Sequence, residues 1–376
     1  MRILKRVLYG SAALVLCVVV ATVAFALWAQ SSTLPDEARA TVTTYEHAPL
    51  QEAIPLRDTL SVMAYNIGYL SGMTNNRPVE RPPALFERNM DAVLTMLRET
   101  APDIVGLQEI DFVAERSYNV HQLDTLGTRA GYHAGAQALN WDVRYLPFPS
   151  NDPAFHFGRL RSGQAVLSRY PMGTHERIEL ARTSRPFWND AFYLDRLAQV
   201  TEIALGTDTL VVVNVHLEAF EQATREAQAR QVHDLVRSRL WEDAPTATDT
   251  APDRALLLIG DFNSVPPVAR ELLPPEERDA FLGDETFAHL LQDLPLQSAF
   301  PDSMYTHAAE ATTTFPADAP TRAIDHIYYT PHHIEAIAAE VLNPPGPPSD
   351  HRPVHMRFVL KEKAVRDIRF APDPGL

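Results

Sequence analysis

Two apolar runs, Leu210-Val-Val-Val-Asn-Val-His-Leu217 and Leu256-Leu-Leu-Ile-Gly-Asp-Phe-Asn263, each finish on polar residues spaced two apart. A β-strand turns alternate side chains to opposite faces, so Asn214 and His216 share one face, and Asp261 and Asn263 repeat the spacing. Apolar runs this continuous read as strands covered on both faces. A polar pair on a covered face must find partners, because each unpaired group costs roughly 1–3 kcal/mol. An acid and an amide displayed together also offer oxygen ligands to a hard cation, and Gly260 lets the backbone approach closely.

The same grammar recurs along the chain. Asp103-Ile-Val-Gly-Leu-Gln-Glu109 ends a buried strand on a carboxylate, and Leu60 to Tyr65 runs into Asn66. Ile324-Asp-His-Ile327 sets an acid inside an apolar strand, and Pro348-Ser-Asp-His351 precedes the last strand, Val354–Leu360. Further strands are expected at Gln164–Ser168 and Leu197–Leu205. Helices are expected at Ala84–Glu99, where Phe86, Met90, Val93, Leu94 and Leu97 keep helical spacing before Pro102, and at Glu221–Leu240 and Thr286–Asp293. Short apolar strands with intervening helices describe an α/β protein with a large layered sheet core. Residues 242–254 read as a loop rather than a domain boundary, since polar strand ends lie on both sides of it.

At 376 residues, with 45% apolar and 22% charged, the chain has material for one large core, which excludes a disordered or fibrous protein. Its single cysteine, Cys17, excludes disulfides, thiolate metal sites and a cysteine nucleophile downstream. Net charge is −15, and without the basic Arg2, Lys5 and Arg6 the rest stands at −18, which disfavours a general nucleic-acid binder. Val7 to Ala29 carries no charge, and as a helix spans about 34 Å, enough for a bilayer core. Basic residues ahead of it place the bulk of the chain outside the cytoplasm. The expected organisation is a single-pass anchor or signal at 1–30, a linker at 31–58, one domain at 59–361 and a tail at 362–376. Cleavage after Ala24-Phe25-Ala26 is the alternative to an uncleaved anchor.

A carboxylate able to orient a distant histidine, two carboxylates with two amides for a divalent metal, and a further histidine make a two-histidine, metal-assisted hydrolase. The ordered set Asn66, Gln108-Glu109, Gly163-Gln-Ala-Val-Leu-Ser168, Asn214-Val-His216, Gly260-Asp-Phe-Asn263, Asp325-His326 and Ser349-Asp350-His351 resembles the endonuclease/exonuclease/phosphatase superfamily. The resemblance covers nearly all of 59–361. It implies a four-layer α/β/β/α sandwich, here behind an N-terminal transmembrane helix, with the site at one edge of two sheets and dependence on Mg²⁺ or Mn²⁺.

By position, the resemblance makes Glu109 the principal metal ligand, with Asn66 and Asp350 beside it. Asp261 orients or deprotonates water, Asn263 grips a phosphate oxygen, Asp325 holds His351 as an acid–base group, and His216 donates to the transition state. Asn214, Arg161 and Trp141 are the substrate-binding candidates, Trp141 belonging to the aromatic stretch Asn140–Arg159. His326, on the opposite strand face from Asp325, reads as structural. The segments Gln108-Glu-Ile-Asp-Phe, Asn140-Trp-Asp, Pro186-Phe-Trp and His216-Leu-Glu-Ala-Phe are more similar to lipid-directed members, including the domain of GPI-anchor lipid-remodelling proteins. The implied partner is a phosphorylated lipid at the outer membrane face. A nuclease is the alternative enzyme, and a non-catalytic tethered module the alternative class. If the apolar run is an uncleaved anchor, the full chain stays with membranes through a carbonate wash; a soluble species beginning near Leu27 or Gln30 would instead show a cleaved signal.

Overall fold

The computed structural model describes residues 2–45, 57–183, 192–206, 208–241 and 252–361. The tail 362–376, most of the loop 242–254, the Pro186-Phe-Trp segment and part of the expected linker lie outside the described residues. Helix α1 is Arg2–Ala29, and the domain's strands are β1 (Ala40–Thr44), β2 (Leu60–Asn66), β3 (Ile104–Ala114), β4 (Ala134–Leu146), β5 (Gly158–Ser168), β6 (Met172–Glu179), β7 (Leu197–Leu205), β8 (Asp208–His216), β9 (Ala255–Asp261), β10 (Gln297–Ser298), β11 (Asp325–Tyr329), β12 (Ile334–Val341) and β13 (Val354–Leu360). They form one sheet ordered β1-β4-β5-β3-β2-β13-β12 and a second ordered β10-β11-β9-β8-β7-β6.

Side-chain alternation builds the layers. Leu60, Val62 and Ala64 of β2, Leu210 and Val212 of β8, and Leu257 and Ile259 of β9 meet in one core between the sheets. The intervening residues face outward. Met63, Tyr65, Val105 and Leu107 pack beneath helices α2 (Pro83–Thr100) and α3 (Gln122–Ala130). On the far side, Val211, Val213, Leu256 and Leu258 pack beneath α4 (Gln222–Leu240) and α5 (Thr286–Leu291). The result is the expected α/β/β/α sandwich, with an apolar helix at its N-terminus long enough to cross a membrane.

The same parity delivers polar residues to one edge. Asn66 continues the inward set of β2, Asn214 and His216 that of β8, and Asp261 that of β9; Asp325 opens the inward set of β11. Strands β2 and β3 run parallel, as do β8 and β9, so their C-terminal ends lie side by side. Gly260, at φ +134°, sits where a Cβ would fall 2.0 Å from the Val215 carbonyl, so only glycine permits this approach of β9 to β8.

Several elements escaped sequence reading. Part of the expected linker is ordered strand: β1 pairs antiparallel with β4 from Ala40↔Ala138 to Thr44↔Ala134 and extends the first sheet. Its Ala-Thr-Val-Thr-Thr sequence is half-exposed, so no apolar run announces it. Strand β4 carries Gln137, Asn140, Asp142 and Arg144, and edge strands β6 and β12 are largely solvent-facing. Strand β3 is longer than expected because it crosses an irregularity. Val105 and Leu107 face the α2 layer, but so do Ile110 and Phe112, and a change from odd to even positions requires one extra residue. The β3–β5 register shifts between Leu107 and Ile110, and Glu109 takes φ +51°.

Asn214 joins the two sheets from within. Its Oδ1 accepts from Gln108 Nε2 at 2.6 Å, and its Nδ2 lies 3.1 Å from Leu107 O, 3.2 Å from Ala165 O and 3.1 Å from Gln199 Oε1. Asn214→Leu leaves at least Gln108 Nε2 and Gln199 Oε1 without this partner in the core and is expected to cost at least about 2 kcal/mol, at 1–3 kcal/mol per unmet group. The urea midpoint of the detergent-solubilised protein should fall accordingly, and an unchanged midpoint would refute this role.

Candidate active site

At the shared edge, Asp261 lies among the converging polar groups. Its Oδ2 accepts from Asn66 Nδ2 at 3.0 Å and lies 3.5 Å from His216 Nε2 and 3.8 Å from His351 Nε2, while its Oδ1 accepts from the Asn263 backbone N–H at 2.9 Å. Burial, then the neighbouring Asp325 charge, push the Asp261 carboxyl up to about 7 against the pull of His351. His351 Nδ1 lies 2.9 Å from Asp325 Oδ2, which leaves its Nε2 facing Asp261. Burial opposes charge on this ring, yet Asp325 and Asp261 together push it up to about 10. His216 behaves oppositely: burial and then the cations Arg196 and His351 hold it well below the usual histidine range. The surroundings therefore push the two imidazoles in opposite directions, His351 towards its charged form and His216 towards its neutral form.

A second group lies beside the first. Asn75 Nδ2 donates to Glu109 Oε2 at 2.8 Å and is 3.3 Å from Asp350 Oδ1, so one amide spans two carboxylates. Burial and then Asp350 raise the Glu109 carboxyl above its ordinary value. The bulge at Glu109 aims this side chain at the edge, and a non-glycine residue at positive φ carries strain of about 1–3 kcal/mol. Ser349 Oγ ties the Asp350–His351 segment to β2 by donating to Asn66 O at 2.7 Å.

The two carboxylates that Asn75 brings together offer oxygen ligands of the kind a hard divalent cation takes. Asp261, Asp325 and His351 also offer ligand atoms within 4.8 Å of one another. The Asp325 Oδ1 atom is buried and without a hydrogen-bond partner among the described residues. Because the His351–Asp325 hydrogen bond already occupies one ring nitrogen, this trio suits proton transfer better, and the Glu109–Asp350 side is the better cation seat.

The structure brings Asn66, Glu109, His216, Asp261, Asn263, Asp325, Asp350 and His351 to this edge. Asn263 spends part of its amide on Leu217 O, at 3.0 Å. Three candidates require correction. Asn214 is consumed by the hydrogen bonds between the sheets and presents nothing to a ligand. Trp141 packs with Ala114, Val143, Leu146, Phe157 and Leu160 and is 8% exposed, because the half of β4 carrying it is covered. Arg161 Nε donates to Thr33 Oγ1 at 2.8 Å, so this nitrogen holds the chain leaving α1. His326 sits among the rings of Phe262, Phe287 and Tyr328, as a structural residue does.

Two site residues were missed. Arg196 is 4% exposed, and its Nε and Nη1 find no hydrogen-bond partner among the described residues; its nearest acid is Glu218, at 3.7 Å. Leu197 pairs with His216, so Arg196 stands beside the end of β8; burial opposes its charge, but Tyr193 and Glu218, and after them Glu109 and Asp261, raise its pKa. It precedes a strand, whereas the sequence pattern looked for polar residues that follow one. Asn75 lies in a loop without periodicity and gave no signal.

Two sheets flanked by helices, with an acid–base cluster and paired carboxylates at one edge, define a sandwich hydrolase architecture. The family model described as Endonuclease/Exonuclease/phosphatase family matches residues 63–351, and the chain belongs to that family. Its members are phosphoric ester hydrolases, generally dependent on a divalent metal. Among solved structures, the chain resembles an endonuclease/exonuclease/phosphatase from Beutenbergia cavernae (20% identity, TM-score 0.53, covering 81% of this chain and 72% of that one). It also resembles the human Nocturnin catalytic domain with bound sulfate anion (18%, 0.52, 87% and 100%) and a family protein from Bacteroides vulgatus (15%, 0.51, 81% and 100%). At these identities the likeness is one of fold. No curated protein matches the sequence significantly.

His351 and Asp325 should act as one element. His351→Ala is expected to lower phosphodiester turnover by at least ~10², the lower range for losing an acid–base group. The double variant with Asp325→Asn should be little worse than the worse single one. Multiplication of the two defects would show that they act independently.

Proposed function

We propose that the protein hydrolyses a phosphoric ester of a phospholipid or phosphorylated glycolipid at the extracytoplasmic face of a membrane. The observation that carries the hydrolytic part is the meeting of Asp261, His216 and the His351–Asp325 pair around one open edge. The lipid part is supported by α1, by the acidic balance of the rest of the chain and by the apolar Phe220, four residues beyond His216 and 83% exposed.

Glu109 and Asp350, with Asn66 and Asn75 beside them, would hold Mg²⁺ or Mn²⁺. When bound, the cation supplies positive charge against the phosphate oxygens. Asp261 receives a proton from the attacking water as the new P–O bond forms. His351, held by Asp325, gives its Nε2 proton to the leaving oxygen as the old P–O bond breaks, which balances the step. His216 Nε2 and the buried guanidinium of Arg196, whose Nε and Nη1 have no hydrogen-bond partner among the described residues, face the equatorial oxygens, where charge accumulates. Arg offers a fork matched to phosphate, and its burial strengthens the contact.

A nuclease remains the competing reading, because the same edge chemistry serves any phosphodiester. The full chain in detergent with Mg²⁺ should cleave anionic or choline-bearing lipid vesicles with higher specific activity than plasmid DNA. Efficient nicking of plasmid with every lipid untouched would transfer the assignment to a nuclease.

A further inference from the structure

The anchor leaves the domain at the catalytic end. Strand register sets the levels: the Glu109 bulge lies opposite Gln164 of β5, which pairs with Ala138, whereas Arg161 of β5 pairs with Asp142 of β4 and Val113 of β3. Three residues along β5, at ~3.3 Å each, put Asp142 about 10 Å beyond the level of Glu109. Strands β2, β8 and β9 stop near that level, so β3, β4 and β5 rise past the site as a wall.

The chain leaving α1 is strapped to this wall. Ser32 Oγ donates to Asp142 Oδ2 at 2.5 Å, the Thr33 and Leu34 backbone N–H groups donate to the same oxygen at 2.9 Å, and Thr33 Oγ1 donates to Oδ1 at 2.6 Å. Arg161 secures Thr33 from the other side. Ala29 is fully buried, and the Phe25 ring meets Tyr145 edge-on at 5.8 Å. From the clamp back to Phe25 the chain therefore climbs from Asp142 to Tyr145, three residues farther out on β4. The remaining residues, 2–24, are exposed along their length. The helix thus continues outward past the catalytic edge rather than back along the domain.

Exposed apolar side chains cluster at that same end. Trp28 is 50% exposed, Phe148 beyond the end of β4 40%, and Phe220 beyond the end of β8 83%. The basic Arg144 and Arg159 are exposed on the wall. Aromatic residues near an apolar span settle at the bilayer interface, and basic residues beside them meet anionic headgroups.

We propose that the Asp142 clamp makes anchor and domain one body whose catalytic edge faces the bilayer, so that the surface this edge recognises is a layer of lipid headgroups. The proposal deepens the lipid-hydrolase reading and rests on α1 remaining in the membrane. A headgroup then reaches Glu109 and Asp261 from below without leaving the membrane plane.

The test uses the full chain with Cys17→Ser and a single cysteine introduced as Phe148→Cys, Phe220→Cys or Glu99→Cys. Each is labelled with a polarity-sensitive fluorophore in nanodiscs of phosphatidylcholine and phosphatidylglycerol. Glu99 is exposed at the end of α2, beside the start of β3 and so opposite the site. A nitroxide lipid spin-labelled near the headgroup should quench and blue-shifted emission should mark the labels at 148 and 220, while the label at 99 shows neither. A label at 220 as bright as that at 99 overturns the orientation. Adding Asp142→Ala should abolish the quenching at 220 while hydrolysis of soluble bis-p-nitrophenyl phosphate stays unchanged; quenching that persists overturns the clamp. Since quenching needs no turnover, an edge that faces the bilayer but cleaves no lipid would refute the substrate reading alone.

Discussion

The rest of the molecule depends on a buried set of amides that holds the two sheets in register. Gln108 and Gln164 come from the first sheet, Asn214 and Gln199 from the second, and all four are fully buried. Gln108 and Gln164 each bond Asn214, and Gln199 bonds both Asn214 and the Ala136 carbonyl. Apolar packing alone tolerates small slips between facing sheets, because dispersion has little directionality. Hydrogen bonds buried in a low-dielectric core do not, since a displaced amide loses its partner without gaining water. Gln108 precedes Glu109 and Asn214 is two residues from His216, so the ties that align the sheets also set the distance between site residues contributed by each.

Strain and desolvation are concentrated immediately outside that network. The extra residue at Gln108–Glu109 turns a carboxylate that alternation would have directed elsewhere, and Asn75 bridges it to Asp350. Burial favours neutral forms, while the acids around His351 favour its charged form, and the balance differs at each group. Two histidines a few ångströms from one carboxylate are thereby biased towards opposite charge states. Arg196 adds a buried cation whose donors remain available.

Around this edge, position and chemistry agree. The wall of β3, β4 and β5 carries the chain leaving α1, and the second sheet carries Phe220 on the same side. Asp142 is deeply engaged: burial opposes its ionisation, but hydrogen bonds from Ser32, Thr33 and Leu34 outweigh burial and hold its carboxyl below the usual range. A tether of the kind expected from the composition of residues 31–58 would let the domain tumble. Four hydrogen bonds to Asp142 and the β1 pairing instead tie this segment to the first sheet.

The layers were legible in the amino-acid pattern, as were several of the polar residues that the structure gathers at one edge. Continuous apolar runs identified β2, β8, β9, β11 and β13, and the polar residues at their ends marked Asn66, His216, Asp261 and Asp325, because a polar group on a covered face is conspicuous whatever surrounds it. Ser349-Asp350-His351 followed from their ordered place in the family pattern. Tertiary structure decided which of the polar residues face the ligand side. Asn214 and His216 share a strand face and differ by two positions, yet one lies between the sheets and the other at their rim, and only the end of the facing strand determines that difference. Trp141 and Arg161 read as substrate contacts until the structure covered the first and engaged the second with the chain leaving α1. Arg196 and Asn75 were invisible for the same reason: their function comes from groups far away in sequence, and local periodicity carries no record of a contact made across two sheets.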